Sequence, residues 1–206
     1  METLPTLFAV IAFATVTSIT PGPNNMMLLA SGVNHGFKKT LPHIAGISIG
    51  LMVLLLSAGL GLGALLQQWP QLYLALKGAG VAYMVWLAWK LWHAEVPSGP
   101  GSDQRASPAA APLMGFWGAA AFQWVNPKAW MIAIGAVAGF TPPDGGYAAV
   151  LGLALVCALV NAPCVGLWAL VGAKLSRWLA EPARRRVFNA LMALLLLASI
   201  WPMVGA

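Results

Sequence analysis

Apolar residues along the chain fall into six long runs, separated by short connections that contain polar residues, proline or glycine. A helix needs about 20 mostly apolar residues to cross the hydrocarbon core of a bilayer. Each run approaches or exceeds that length, so each predicts one membrane-spanning helix. The predicted spans are residues 7–31, 44–66, 72–92, 113–140, 147–171 and 187–204. The pattern therefore predicts an all-α membrane protein with six transmembrane helices.

Two of these runs, the first and the fourth, are interrupted by prolines with asparagine beside them. The interruptions are Thr20-Pro21-Gly22-Pro23-Asn24-Asn25 and Asn126-Pro127-Lys128. Proline has no amide hydrogen and its ring clashes with a continuing helical turn, so we expect both helices to break. Broken backbone at membrane depth is tolerated where it lines a cavity enclosed by protein. Paired broken helices are the best sequence indication of a transporter's binding site near the midplane.

Composition agrees with a membrane location. Hydrophobic residues make up 60% of the chain and charged residues 8%, whereas a soluble domain carries roughly 25% charged residues. The net charge of +6 does not indicate nucleic acid, because most basic residues lie in the connections, where positive charge reports topology. We therefore expect a lipid bilayer around the protein and no nucleic-acid partner.

The connection at residues 94–112 is rich in proline, serine, glycine and alanine, a composition typical of a flexible linker. It separates residues 1–93 from residues 113–206, with three predicted spans on each side. An odd number of spans makes the second half enter the membrane from the opposite side. We therefore predict two inverted three-helix repeats, related by an axis in the membrane plane.

Basic residues cluster at the first, third and fifth connections, and the other face has none in its loops. These residues are Lys38, Lys39, Lys90, Arg105, Lys174, Arg177, Arg184, Arg185 and Arg186. Cytoplasmic loops carry an excess of lysine and arginine. The three connections are therefore predicted to be cytoplasmic, and both termini are predicted to lie outside the cytoplasm.

Each break should start a new helix. Proline is favoured at the first helical position, which places Gly22 and Asn126 at N-cap positions, where both residue types are accepted. With inverted halves, the two new N-termini would face each other. Unpaired amide hydrogens and the positive end of the helix dipole make such termini suited to an anionic group such as a carboxylate.

Lys128 lies in the fourth apolar run, where a charged side chain is costly and usually functional. It could complement an anionic ligand, or it could cap carbonyl groups of the opposing helix. Partners for a ligand's ammonium group would be the carbonyls of Ser18, Ile19 and Thr20 and nearby asparagine side chains. The predicted binding residues are Thr20, Pro21, Gly22, Pro23, Asn24, Asn25, Asn126, Pro127, Lys128 and Asn161. This set suits a zwitterionic amino acid.

At these residues the chain resembles the amino-acid exporters of the lysine exporter superfamily, in its homoserine/threonine-resistance branch. The resembling stretches are Ile19 to Asn25, His35-Gly36, Gly46-Ile47-Ser48-Ile49-Gly50 and Asn126-Pro127-Lys128. Residues 80–90 resemble the cysteine and O-acetylserine exporters of that branch. The resemblance implies secondary-active efflux of small neutral amino acids across the bacterial inner membrane, with protons as the coupling ion. Leu51 stands where many members have aspartate, so the coupling residue is left open.

Other functions are less well supported. Metal-cation efflux, known among distant relatives, is the alternative. It would require metal ligands such as Asp, His or Cys at the breaks. An enzyme would need a nucleophile with a base or a metal cluster, and His35, His43 and His93 are scattered toward one interface. Cys157 and Cys164 share a predicted helix roughly 10 Å apart, too far for a disulfide. No enzyme and no cofactor is expected, and glycine-rich helix faces allow a homodimer without requiring one.

Overall fold

The computed structural model describes residues 4–62, 68–94, 114–142 and 145–201. All regular elements within these ranges are helices, which confirms the all-α prediction for this part of the chain. The predicted linker at residues 94–112 lies almost wholly outside the described residues, so the division at that linker stays a prediction.

The first apolar run is broken where the prolines require it. Helix α1 comprises Leu4–Ile19 and helix α2 comprises Pro23–His35, and their axes are bent by 60° at the break. Asn25 and Ser18, on either side of the break, are both buried. Gly22 and Pro23 are buried as well, whereas Thr20 and Pro21 are exposed, so protein encloses part of the broken backbone.

Helix α3 comprises Phe37–Ser57 and continues as a π-helical turn over Ala58–Leu62. It begins at Phe37, earlier than the predicted residue 44. The polar connection expected at residues 34–39 is reduced to a single non-helical residue, Gly36, whose φ of 79° suits glycine. The connection is therefore a tight turn, because one glycine suffices to turn the chain between two helices.

Five further helices complete the chain, one before the predicted linker and four after it, within the residues that the structure describes. The remaining helices are α4 Pro70–Trp92, α5 Phe116–Val125, α6 Pro127–Phe140, α7 Gly146–Leu175 and α8 Pro182–Ala198, with a 3₁₀ turn at Trp178–Ala180. The fourth run is divided into α5 and α6 at Asn126, as expected. Helix α7 runs through Pro163 as one continuous element.

Within the described residues, α3 with its π turn (26 residues) and α7 (30 residues) are each long and apolar enough to span a membrane. The bent pair α1–α2 qualifies as a third, broken span, and α6 is a shorter apolar helix. The chain is therefore a multi-pass membrane protein. The arrangement of six spans in inverted repeats stays a prediction.

Close helix packing positions the two breaks. Helix α7 packs on α1, α2 and α3, and α3 packs in turn on α5. The α3–α5 contact depends on two glycines, because a Cβ on Gly46 would collide with the carbonyl oxygen of Phe116 and one on Gly50 would lie 2.8 Å from Ala120 Cα. Small residues of this kind let membrane helices approach closely. The approach brings α5, with its break, against the middle of the bundle.

Candidate binding site at the two helix breaks

Residues from both breaks line one shared cavity with an empty volume of about 350 Å³, counted out to its open mouth. Its polar wall comes from the α1–α2 break, the end of α5, the start of α6 and the middle of α7. Its lining residues are Thr17, Ser18, Gly22, Pro23, Asn24, Asn25, Ile47, Leu51, Gln123, Asn126, Lys128, Ala129, Ile132, Asn161 and Val165. The two interruptions, about a hundred residues apart in sequence, therefore line one cavity.

Both second half-helices begin as the prolines require. Gly22 is the N-cap of α2 in an extended conformation, and Pro23 is its first residue. Asn126 is the N-cap of α6, and its side-chain oxygen accepts a hydrogen bond from the Lys128 backbone amide at 3.1 Å. The first amides of a helix have no partners within it, so the start of α2 offers donors beside the cavity. At α6, Pro127 has no amide hydrogen and the amides of Lys128 and Ala129 already donate to Asn126. Both helix starts place the positive end of a helix dipole beside the cavity.

Asn25 holds the α1–α2 break in shape. Its side-chain nitrogen donates to the carbonyl oxygens of Ser18 and Thr20, each at 2.8 Å. The indole nitrogen of Trp168 on α7 donates to the Ile19 carbonyl at 3.2 Å. These three carbonyls, expected as acceptors for a ligand's ammonium group, therefore already accept hydrogen bonds from the protein.

Asn24 pairs with Gln123 across the two halves of the chain. The Asn24 amide donates to Gln123 Oε1 at 2.9 Å, and the Gln123 amide donates back to Asn24 Oδ1 at 3.3 Å and to the Ala119 carbonyl at 2.8 Å. Gln123 is 1% exposed. This reciprocal amide pair joins α2 to α5 at the cavity wall.

Asn161 on α7 connects three helices. Its side-chain nitrogen donates to Ser18 Oγ at 2.9 Å, and its oxygen accepts from Ser48 Oγ at 3.0 Å. The three side chains are all buried. Polar bonds of this kind between membrane helices align α1, α3 and α7 around the cavity.

Lys128 reaches across the cavity to the opposite break. Its ammonium donates to Thr20 O at 2.7 Å, to Thr20 Oγ1 at 2.9 Å and to Pro21 O at 3.3 Å. Gly22 leaves room for the lysine, since a Cβ there would lie 2.9 Å from Lys128 Cδ. An ammonium group has three donors, so these acceptors use all of them in this conformation. Of the two roles considered for Lys128, the structure displays the capping of opposing carbonyls.

Seven of the ten predicted site residues line the cavity: Gly22, Pro23, Asn24, Asn25, Asn126, Lys128 and Asn161. Thr20, Pro21 and Pro127 do not line it, although Thr20 and Pro21 accept the hydrogen bonds of Lys128. Sequence reasoning missed Gln123 and the hydroxyls of Ser18 and Ser48. Their signal was a lone polar residue inside an apolar run, which is costly in a membrane unless it finds a partner.

The structure also places His43, Leu51 and the two cysteines. His43 is 1% exposed on α3, so it is an interior residue and not a loop or headgroup residue. Leu51, which stands where the family resemblance implies aspartate in many members, lines the cavity. Both cysteines are free, with Cys157 buried in the apolar core of α7.

The chain is similar to known exporters over most of its length. The family model for the LysE type translocator matches residues 15–198. The cysteine/O-acetylserine efflux protein of Salmonella choleraesuis (strain SC-B67) is 33% identical over 186 residues, covering 89% of this chain and 90% of that protein. The protein of the same name from Escherichia coli (strain K12) is 32% identical over 195 residues, covering 93% and 94%. No solved structure gives a significant match. The matched length and identity together establish that the chain belongs to the LysE-type translocator family.

Proposed function

We propose that the protein exports small neutral amino acids, of the size and polarity of cysteine and O-acetylserine, from the bacterial cytoplasm by secondary-active alternating access. The observation that carries the proposal is the single cavity lined by the N-cap residues of both broken helices. The names of the relatives supply the substrate class. The bacterial inner membrane is the location that this function requires, with both termini outside the cytoplasm.

The cavity offers complementary groups for a zwitterion. The first-turn amides of α2 suit the carboxylate, and the Lys128 backbone amide at the start of α6 becomes available once the Asn126 side chain releases it. The amide oxygens of Asn24 and Asn161 are acceptors for the ammonium group, each having a second lone pair beyond the bond it accepts in this conformation. Ile47, Leu51 and Val165 form an apolar wall for a short side chain. The lining contains one charged residue, Lys128, so it suits a small ligand without net charge better than a free cation.

Lys128 is proposed to act as a gate between the breaks. In the observed conformation its three donors are bound to Thr20 and Pro21. A substrate carboxylate would compete for the same donors, and a charged acceptor forms the stronger hydrogen bond. Binding would therefore loosen the hold of α6 on the α1–α2 break, which is the kind of local change that can begin a switch between two conformations.

Alternating access is supported by the way helices pair. An inverted repeat makes α1–α2 equivalent to α5–α6, α3 to α7, and α4 to α8. The contact of α1 with α7 then corresponds to the contact of α5 with α3, and the contact of α2 with α7 to that of α6 with α3; all four occur. The contacts of α3 with α7 and of α4 with α8, also present, map onto themselves. This correspondence is what two related halves moving about one central site would have.

Counterflow in liposomes tests the function directly. Purified protein is reconstituted with unlabelled L-cysteine kept reduced inside, and entry of labelled cysteine, O-acetylserine, threonine, lysine and leucine is measured. We expect saturable exchange of the small polar amino acids and little exchange of lysine or leucine. Protein-free liposomes are the control for leak. Absence of saturable exchange with every amino acid, or flux of a divalent metal ion instead, would contradict the proposal.

A further inference from the structure

A second cavity lies beside the binding site and contains an unpaired histidine. It has an empty volume of about 430 Å³, counted out to its open mouth, and is lined by residues of α2, α3, α4 and α8 together with Met114. The lining residues are Met26, Met27, Ala30, Ser31, His43, Leu87, Leu91, Met114, Met192 and Leu196. Nothing in the function proposed above uses it.

The two cavities follow one another along the same helices. On α2, the binding site is lined up to Asn25 and the second cavity begins at Met26; on α3, Ile47 lines the first and His43, one turn earlier, lines the second. The turn between α2 and α3, next to Lys38 and Lys39 in the first turn of α3, is on the side predicted to be cytoplasmic. The second cavity therefore lies between the binding site and that side.

His43 is chemically isolated in this cavity. It is 1% exposed, and both ring nitrogens, Nδ1 and Nε2, lack any hydrogen-bond partner in the described part of the chain. A buried polar group without partners is costly, and an apolar side chain of similar volume would avoid the cost. A buried imidazole without partners calls for an explanation, and because it faces a cavity, a ligand that it meets only during part of the working cycle would supply one.

His43 is the one titratable residue among the described residues that line this cavity. Lys38 and Lys39, earlier on the same helix, do not line it. None of the nine other residues that line the cavity has a titratable side chain. Ser31, the one polar neighbour among them, is bonded to the Thr40 hydroxyl at 3.0 Å. On α4 the next charged group is Lys90, whose ammonium lies over the Trp86 ring. On α8 the basic residues Arg184 to Arg186 precede Met192 by more than a helical turn.

We propose that His43 is the residue that binds and releases the coupling proton of this transporter. Imidazole is the side chain whose ordinary titration lies nearest physiological pH. The cavity gives it space to accept a proton from water entering from the cytoplasmic side, and the binding-site cavity is one helical turn away on α3. The proposal rests on the proposed function. It supplies the titratable group that leucine at position 51, where many family members have aspartate, does not provide.

The test separates exchange from coupling. Liposomes with the full-length protein are assayed for cysteine counterflow at equal pH, and for cysteine uptake driven by an acidic interior, with proton movement followed by a pH-sensitive dye. His43→Gln should retain at least half of the wild-type counterflow and lose pH-driven uptake at least tenfold. His93→Gln is the matched control, because His93 is an exposed residue at the end of α4, and it should retain both activities.

The outcomes distinguish the two proposals. Wild-type protein without counterflow would overturn the function itself. Counterflow with no pH-driven uptake in the wild type, or pH-driven uptake that persists in His43→Gln, would overturn only the role of His43. Imidazole and thioether groups also suit soft ions such as Cu(I), so Ag(I) binding that His43→Gln abolishes, with pH-driven uptake unchanged, would make the cavity a metal site and refute the proposal.

A measurement on the wild type covers the case in which His43→Gln does not fold. The chain has three histidines, so nitrogen-15 labelling of histidine gives three imidazole signals in lipid nanodiscs. Separate His35→Gln and His93→Gln variants identify the signal of His43 by elimination. We expect its protonation state to change when cysteine is added at constant pH, and an unchanged signal would overturn the proposal.

Discussion

Asparagine side chains make several of the hydrogen bonds that hold the backbone at the two breaks. A broken helix leaves carbonyl groups without partners, and in a membrane no water reaches them. Asn25 satisfies two such carbonyls from the far side of its own break, and Asn126 satisfies an amide at the other. The same residue type can therefore shape the backbone and still face the cavity.

Removing the Asn25 amide should destabilise the protein. Asn25→Ala leaves the Ser18 and Thr20 carbonyls without this donor, at a cost of about 1–3 kcal/mol for a buried group. We expect a lower melting temperature in detergent. Asn34→Ala is the matched control, because the Asn34 amide donates mainly to Ala30 of its own helix at 2.9 Å. Equal melting temperatures for the two variants would show that Asn25 does not hold the break.

Removing the Asn24 amide should abolish transport without preventing insertion. Asn24→Ala removes an acceptor proposed for the substrate's ammonium group and breaks the pair with Gln123. We expect normal amounts of protein in the membrane and counterflow reduced at least tenfold. Gln123→Ala removes the partner alone and should have the smaller effect. Full counterflow by Asn24→Ala would remove Asn24 from the proposed site.

The charge of Lys128 should matter for the substrate's carboxylate. Lys128→Met removes the donors for which the carboxylate competes, and a hydrogen bond to a charged group contributes about 1.5–3 kcal/mol. We expect the apparent affinity for cysteine to weaken by about tenfold or more. Lys77→Met is the matched control, because Lys77 lies in an apolar helix and does not line the site. An unchanged affinity would limit Lys128 to clamping the Thr20 and Pro21 carbonyls.

At the scale of the helix, small residues decide which elements can meet. Helices α3 and α5 approach so closely at Gly46 and Gly50 that a methyl group would overlap the backbone of α5. Helices α2 and α7 meet in the same way, since a Cβ on Gly32 would collide with the Ala169 carbonyl and one on Gly172 with the Leu29 carbonyl. These contacts hold together four of the helices that line the cavity, α2, α3, α5 and α7.

Adding a methyl group at the α3–α5 contact should destabilise the fold. Alanine within a helix is intrinsically favoured over glycine by roughly 0.5–1 kcal/mol, but overpacking a tight contact costs about 1–3 kcal/mol. We expect Gly46→Ala to lower the melting temperature. The control Gly78→Ala, on α4 with no heavy atom within 4 Å of the added Cβ, should leave it unchanged or raise it. Equal shifts would show that the close approach is not required.

At the scale of the whole molecule, orientation follows from charge. The basic residues Arg184, Arg185 and Arg186 lie at the start of α8. If that end is cytoplasmic and α8 crosses the membrane, its C-terminal end lies outside the cytoplasm. The same rule predicts that the α2–α3 turn is cytoplasmic. Six spans with both termini outside are consistent with these two positions.

Reporter fusions test this orientation. A phosphatase that is active only outside the cytoplasm, fused after Ala206, should be active, and a fluorescent protein that matures only in the cytoplasm should be dark there. The same pair inserted after Gly101, within the predicted cytoplasmic linker, is the control and should give the reverse result. A fluorescent fusion after Ala206 would show that the predicted topology is inverted or that the number of spans is odd.

Local physics explains why both breaks and both N-caps were predictable from the sequence. Proline has no amide hydrogen wherever it stands, so the ends of α1 and α5 and the starts of α2 and α6 follow from the residues at the breaks. The class of the protein was equally readable, because 8% charged residues cannot cover a soluble surface. The candidate residues at the breaks needed no knowledge of the packing.

The pairing of those residues depends on tertiary structure. Sequence order does not reveal that Asn24 meets Gln123, that Lys128 uses its donors on Thr20 and Pro21, or that His43 faces a cavity without partners, because each contact depends on how helices distant in sequence pack. Glycine contacts between α3 and α5 and between α2 and α7 set that packing. The chain's local chemistry thus determined where its helices break, and the close packing of the helices decided which polar groups meet there.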